Sequence, residues 1–186
     1  MHLMKKIIII ISYLLIFFNS NLLSNENDKD LKIGLLAPLS GEYKELGLEN
    51  SNKYLFIKKV LGLNIDFEYG SIYNLSKFNN FDVTFCGSLL EHLRDPITAI
   101  EQLYFKTNNF CIIDISNTIK SSFFQRRKAL LEYTGAGGNF FRYTNDSVKL
   151  MMETIGFKNV KILNNYKIKI EKYDYHIPHS LIIGYK

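Results

Sequence analysis

Two cysteines in 186 residues, Cys86 and Cys111, are too few for a disulfide scaffold or a four-ligand structural zinc site. Three prolines and 11 glycines exclude collagen-like and linker-like sequence. The apolar run Ile7–Phe18 has 12 residues, short of the roughly 20 that span a bilayer as a helix. No strong excess of one charge is present either. Residues 1–50 hold five Lys against six acids, and residues 51–186 hold 18 Lys and Arg against 12 acids, so net −1 is followed by net +6. A balance of +6 over that length permits a nucleic acid or another anion as partner without pointing to one. What is present is ordinary: 47% hydrophobic and 22% charged residues exclude wholesale disorder, and 21.7 kDa suits one domain with a short extra segment. Ile and Asn are abundant and Ala is scarce, a global bias that weakens single-residue propensity as a guide.

The N-terminus reads as a targeting segment. Lys5 and Lys6 precede Ile7–Phe18, and polar Asn19-Ser20-Asn21 follows, the order of a signal peptide's basic, apolar and polar regions. Ser24 suits the last position before cleavage, but Leu22 is large for its role. Export, an uncleaved membrane anchor through Ile7–Phe18 and a buried helix or strand therefore all stay open. Asn25–Asp30 is a polar spacer. Leu31-Lys32-Ile33-Gly34-Leu35-Leu36-Ala37 is a strand candidate, stopped by Pro38-Leu39-Ser40-Gly41. The stretch Leu31–Gly47, LKIGLLAPLSGEYKELG, resembles the start of mature leucine-binding-type periplasmic proteins, where a first strand runs into a PLSG-like loop and then a helix. The two-lobed body of that family does not follow.

From about Asn52 the pattern becomes one of alternating strands and helices. Phe56, Ile57, Val60 and Leu61 share a helical face. Asn64–Tyr69, Phe81–Cys86 and Phe110–Ile115 read as strands, and Val160–Leu163 and His179–Tyr185 as closing strands. Asp95 can cap a helix that begins at Pro96 and buries Ile97, Ile100, Leu103 and Tyr104. Asn145 can cap a helix bearing Val148, Met151, Met152 and Ile155, stopped by Gly156. This succession predicts an α/β class with a mostly parallel sheet.

Three blocks carry a further resemblance. Phe81–Pro96, FDVTFCGSLLEHLRDP, is similar to the fourth strand and following loop of class I S-adenosylmethionine (SAM)-dependent methyltransferases. Asn145–Leu163, NDSVKLMMETIGFKNVKIL, resembles that family's last helix, its turn and its sixth strand; Asn64–Leu75 resembles the third strand and its loop. Ser180–Lys186 resembles the last strand, and the blocks occur in the family's order over about residues 52–186. The resemblance implies a Rossmann-like sheet with helices on both faces and SAM as methyl donor. A closer similarity to methyltransferases of tRNA wobble uridines implies RNA as one possible acceptor, although the acceptor itself stays unassigned.

Departures from the family bear on activity. Its glycine-rich D/E-x-G-x-G-x-G loop, which lets backbone approach the methionine part of SAM, has no counterpart before residue 52. Gly135-Ala136-Gly137-Gly138 follows basic Arg126-Arg127-Lys128 and a helical run, and reads as a flexible connection. In the family the first strand lies centrally, between the second and fourth, so its loss exposes a sheet edge near Val83–Phe85 unless another segment covers it. Leu31–Ala37 is the available surrogate, in a β-α-β unit with Asn64–Tyr69. The expectation is thus an incomplete Rossmann-like fold with a hydrophobic N-terminal helix outside it. Its divisions are a leader (1–24), a binding-protein-like start (25–51) and a truncated methyltransferase-like domain (52–186). A degenerate or truncated methyltransferase, its catalytic competence in doubt because the cofactor loop is missing, is one reading; an exported solute-binding remnant or fusion product without catalysis is the other. The leader points to inner membrane or periplasm, whereas SAM chemistry points to the cytoplasm.

By resemblance, Ser71, Ile72, Cys86, Gly87, Ser88 and Leu89 line the donor site. Ser71 stands where family members often carry an acid that holds the adenine amino group. His92, beside Glu91, is the candidate proton acceptor, because imidazole titrates near neutrality. Arg94 and Asp95 read as a surface pair and a helix cap. His176 and His179 read as loop histidines, and Cys86 and Cys111 as buried thiols on neighbouring strands. Arg126-Arg127-Lys128 is a basic cluster suited to RNA phosphate or to a solvated helix face.

Overall fold

Strict alternation of Phe81, Val83 and Phe85 with smaller or polar partners makes Phe81–Gly87 a strand in the computed structural model. The structure describes residues 33–36, 70–117, 129–136, 139–170 and 175–186. All fall in one compact unit, Leu31–Lys186. The strands are β1 (Ile33–Leu36), β2 (Phe81–Gly87), β3 (Thr107–Ser116), β4 (Leu131–Ala136), β5 (Asn139–Tyr143), β6 (Lys158–Ile170) and β7 (Tyr175–Tyr185). The helices are α1 (Pro96–Lys106) and α2 (Asn145–Ile155). The leader, the helical face at 53–61 and the strand expected at 64–69 lie outside the described residues.

The main sheet has the order β1-β2-β3-β7-β6. β1 and β3 flank β2 in parallel, with Ile33 opposite Val83 and Cys86 opposite Ile113. β7 runs antiparallel to both β3 and β6, pairing Ile113 with Ile182 and Ile162 with Ile182. The expected mostly parallel sheet is therefore corrected to two parallel and two antiparallel pairings among the described strands. The physical reason is the short β6–β7 connection, because antiparallel neighbours need only a hairpin whereas parallel ones need a long crossover. β1 also covers the flank of β2 at Val83–Cys86, so that edge is not exposed.

One face of the sheet carries the core. Cys86, Cys111, Ile113, Ile115 and Ile182 pack with Ile100 and Leu103 of α1, Val148 and Met152 of α2, and Tyr143 of β5. Each large apolar side chain so buried contributes about 1.5–3 kcal/mol. Two hydroxyls inside this layer satisfy each other, Thr84 and Thr107 lying 2.7 Å apart, and Thr107 Oγ1 also bonds to the Leu103 carbonyl at 2.6 Å.

Both helices start on side-chain caps. Asp95 accepts from the Thr98 amide at 3.0 Å, with Pro96 as the first helical residue. Ile97, expected in the stripe, is 42% exposed, while Pro96, Ala99, Ile100 and Leu103 are buried. At roughly 100° per residue, Ile97 points well away from that arc. The cap of α2 is Thr144, one residue before the expected Asn145: its Oγ1 accepts from the Ser147 amide at 3.3 Å. The Asn145 side chain instead accepts from the Asn117 amide group at 3.4 Å. Gly156 ends α2 at φ 127°, a conformation other residues rarely adopt. The glycine cluster at Gly135 directly follows strand residues, Leu131–Thr134. It belongs to the β4–β5 hairpin, and Gly135 at φ 61° supplies the left-handed turn residue. No helix among the described residues is long and apolar enough to cross a membrane.

Candidate functional site

Parallel strands share a carboxyl edge, and β1, β2 and β3 bring Leu36, Gly87 and Ser116 to it. In open α/β sheets ligands bind beyond this edge. The antiparallel β7 contributes its amino-terminal half here, where His179 pairs with Ser116. Four elements therefore converge on one place.

Ser88, immediately after β2, has φ 46°, an unusual conformation for a residue other than glycine. It is held twice by Asp114 of β3: its amide donates to the Asp114 carbonyl at 3.0 Å, and its hydroxyl to Oδ2 at 2.9 Å. Asp114 is 5% exposed, and its other oxygen lies 3.2 Å from Nδ1 of His179, which is 6% exposed. The Tyr166 phenol lies close enough to feel the charge of the same carboxylate. Burial first, and the Asp114 charge second, push the Tyr166 hydroxyl well above its ordinary value, so it stays a neutral donor. Its ring lies 5.4 Å from the His179 ring.

A cleft of about 180 Å³ opens beside this cluster, lined by Asn117, Asn165, Tyr166, Lys167, Pro178, His179 and Ser180. The Ser180 hydroxyl donates to Asn165 Oδ1 at 2.7 Å and fixes one wall. On the core side, Glu91 is 3% exposed; its Oε1 accepts from the Ser116 amide at 3.0 Å, while Oε2 is buried without a hydrogen-bond partner. Tyr143 donates to the Leu90 carbonyl at 3.1 Å, and burial, with Glu91 nearby, raises its hydroxyl.

The residues expected to line a donor site have different environments. Ile72 and Leu89 are buried apolar groups, and Gly87 and Ser88 are half-buried at the strand end. Ser71 is exposed, its hydroxyl accepting from the Tyr73 amide at 3.3 Å. Cys86 is wholly buried, and burial raises its thiol well above the ordinary range, so its side chain faces the core. Cys111, on the neighbouring strand, is pushed up to about 12 by burial. His92 is half-buried at the end of a short 3-10 turn, Leu90–His92, while the carboxylate of Glu91 turns inward to Ser116. Arg94 lies over the Phe140 ring at 5.3 Å, and Asp95 caps α1. The basic cluster 126–128 lies outside the described residues.

The reading of His176 and His179 as loop histidines is corrected, since both are on β7 and His179 is buried against Asp114. β7 begins earlier than its apolar run because the β6–β7 ladder continues to Tyr175. Asp114 and Tyr166 were not expected in a site. A carboxylate inside the apolar run Phe110–Ile115 was the available signal, because an acid is rarely buried without partners. Among the described residues, no group of three or more His, Cys, Asp or Glu is placed to hold a metal ion.

No family model and no curated protein matches the sequence. Solved structures match by fold. A SAM-dependent methyltransferase from Archaeoglobus fulgidus aligns with a TM-score of 0.53 at 15% identity, over 85% of this chain and 87% of that one. The 1,6-didemethyltoxoflavin-N1-methyltransferase of Burkholderia thailandensis, with bound S-adenosylhomocysteine (SAH), aligns at 0.55 and 12%, over 84% and 71%. The N-terminal domain of EvdMO1, in the presence of SAH and D-fucose, aligns at 0.55 and 13%, over 86% and 68%. This chain spans 32% of whole EvdMO1. The fold is thus that of SAM-dependent methyltransferases.

Proposed function

We propose that this chain is a methyltransferase-like protein that binds SAM at the carboxyl edge of β1–β3 and methylates a small-molecule acceptor. The observation that carries the reading is the strand arrangement: β1, β2 and β3 parallel, followed by an antiparallel β7 inserted between β3 and β6. In this reading Ile72 and Leu89 form apolar walls, Ser71 offers a neutral contact toward the adenine end, and Gly87 and Ser88 present strand-end backbone. Cys86 contributes main chain, because its thiol is sealed in the core. Bound SAM would supply an electrophilic methyl group. The protein's contribution is then to position the nucleophile in line with it.

A small acceptor is favoured over RNA by the dimensions of the cleft, about 180 Å³, and by its lining, in which Lys167 is the one Lys or Arg among the described residues. Nucleic-acid sites need several cations along a groove. The test is calorimetric titration of SAH into the purified full chain after a cooperative melt has been recorded. Micromolar binding, about −8 kcal/mol, is expected. A folded chain that binds neither SAH nor SAM would overturn the reading. Cell fractionation addresses location: recovery with cytoplasmic proteins is expected for a SAM-dependent enzyme, and recovery outside the inner membrane would contradict it.

A further inference from the structure

His179 sits in an arrangement that the proposed donor site does not explain. Its Nδ1 faces Asp114 Oδ1 at 3.2 Å, and Asp114 is itself fixed by the Ser88 hydroxyl on Oδ2 at 2.9 Å. A carboxylate on Nδ1 selects the tautomer with its proton there and leaves Nε2 as a basic lone pair. Nε2 makes no hydrogen bond among the described residues. Among them, Glu91 Oε2 is the one sealed side-chain oxygen or nitrogen without a partner, so Nε2 is not sealed. His179 also lines the cleft.

We propose that His179 is a general base, positioned by Asp114, which takes the proton from a phenolic hydroxyl bound in this cleft. The inference deepens the methyltransferase reading and rests on it for the fate of the product. Its chemistry is one balanced step. The acceptor O–H bond breaks, the proton goes to Nε2, the electron pair stays on oxygen, and a neutral imidazole and phenol become imidazolium and phenolate. The phenolate is the better methyl acceptor. A proton-bearing acceptor is indicated because a nucleophile that needs no deprotonation gains nothing from an oriented imidazole.

The walls suit an aromatic ring with one acidic oxygen. Tyr166 and Pro178 offer flat apolar surface, Asn117 and Asn165 offer amides, and the Lys167 ammonium can stabilise the anion. The volume, about 180 Å³, is that of a one-ring ligand: an apolar cavity of about 150 Å³ holds benzene. Ser88 links the two halves of the site. It belongs to the expected donor set at the end of β2 and bonds to the carboxylate that orients the base.

The test uses 4-nitrophenol, whose anion absorbs visible light and whose neutral form does not. At a pH where the free phenol is mostly neutral, adding the full chain should raise the anion absorbance to a plateau. His179→Asn should lose that rise while melting as a folded protein, and Asp114→Asn should reduce it with His179 still present. Nitrogen NMR of the wild-type imidazole needs no variant: His179 Nε2 should take up a proton as the phenol binds. No rise, a rise that survives His179→Asn, or an unchanged Nε2 signal would each overturn the proposal. SAH titration is read separately. SAH binding without the rise removes the base and keeps the methyltransferase reading; the rise without SAH binding does the reverse.

Discussion

Replacing Asp114 by asparagine keeps the side chain's shape and takes away one acceptor and a charge. In the wild type two side-chain donors hold this carboxylate, one on each oxygen: the Ser88 hydroxyl on Oδ2 at 2.9 Å and His179 Nδ1 on Oδ1 at 3.2 Å. The amide offers one oxygen and an NH2 group that cannot accept, so at least one donor loses its partner or must turn around. Hydrogen bonds to a charged group contribute about 1.5–3 kcal/mol and neutral ones about 0.5–1.5. Removing a buried charge returns part of that loss, because its desolvation cost disappears as well. A net destabilisation of about 2 kcal/mol follows, which for a domain of this size lowers Tm by roughly 4–8 °C. Thermal melts of wild type and Asp114→Asn measure it directly. A double-mutant cycle with Ser88→Ala should show a coupling of about 0.5–3 kcal/mol between the two positions. A variant that melts at or above the wild-type temperature, with no coupling to Ser88, would refute the assignment of Asp114 as the shared acceptor.

Two further outcomes check the fold around the site. Asp95→Ala should destabilise α1 by about 0.5–1 kcal/mol near neutral pH, the lower part of the range for a cap because Asp95 is exposed. The Thr98 hydroxyl, and then the Thr98 amide, hold the Asp95 carboxyl below its ordinary value, so the cap's contribution is present above the usual carboxylate range. It is lost as pH falls through the lowered value, and wild type and variant should converge in stability there; a difference undiminished in acid would show that the cap is not its source. Neither Cys86 nor Cys111 should react with a thiol reagent in the native state near neutrality, since both are fully buried and burial suppresses their thiolates. Both should react on unfolding in denaturant. Stoichiometric labelling of the folded chain within seconds would contradict the placement of β2 and β3.

Period and punctuation made much of the described fold legible. Phe81–Cys86 alternates, Phe110–Ile115 is continuously apolar, and Asp95-Pro96 and Gly156 mark helix ends, so β2, β3, α1 and α2 stand close to where the pattern puts them. The β4–β5 hairpin was harder to see. The alternation Leu131-Glu132-Tyr133-Thr134 is only four residues long, and Leu131 and Tyr133 are 50% and 68% exposed, so little burial marks it as a strand. The lengths of β6 and β7 were also hidden. Lys161–Lys169 is mostly exposed, and it is held in register by its ladder to β7 more than by a core. Pairing of that kind leaves a weak trace in a single strand's sequence, because each strand's stability depends on its neighbour.

The site was legible in one half for the same reason. Gly87, Ser88 and Leu89 lie in a contiguous block, so a motif can point to them. Asp114, Tyr166 and His179 come from three strands, and only the order β2-β3-β7-β6 brings them together. Taken singly, each has a bland explanation: an acid in a strand, an exposed-looking tyrosine, a histidine near a proline. Their chemistry arises from the antiparallel insertion of β7, which sets His179 opposite Ser116, two residues beyond Asp114 on β3. The left-handed backbone of Ser88 fits this account. A residue in that conformation carries a cost of about 1–3 kcal/mol that surrounding contacts must outweigh. Here the contacts are the two hydrogen bonds from Ser88 to Asp114. The group that orients His179 is thus also the group that shapes the end of β2, and the proposed base and donor edge are mechanically one unit.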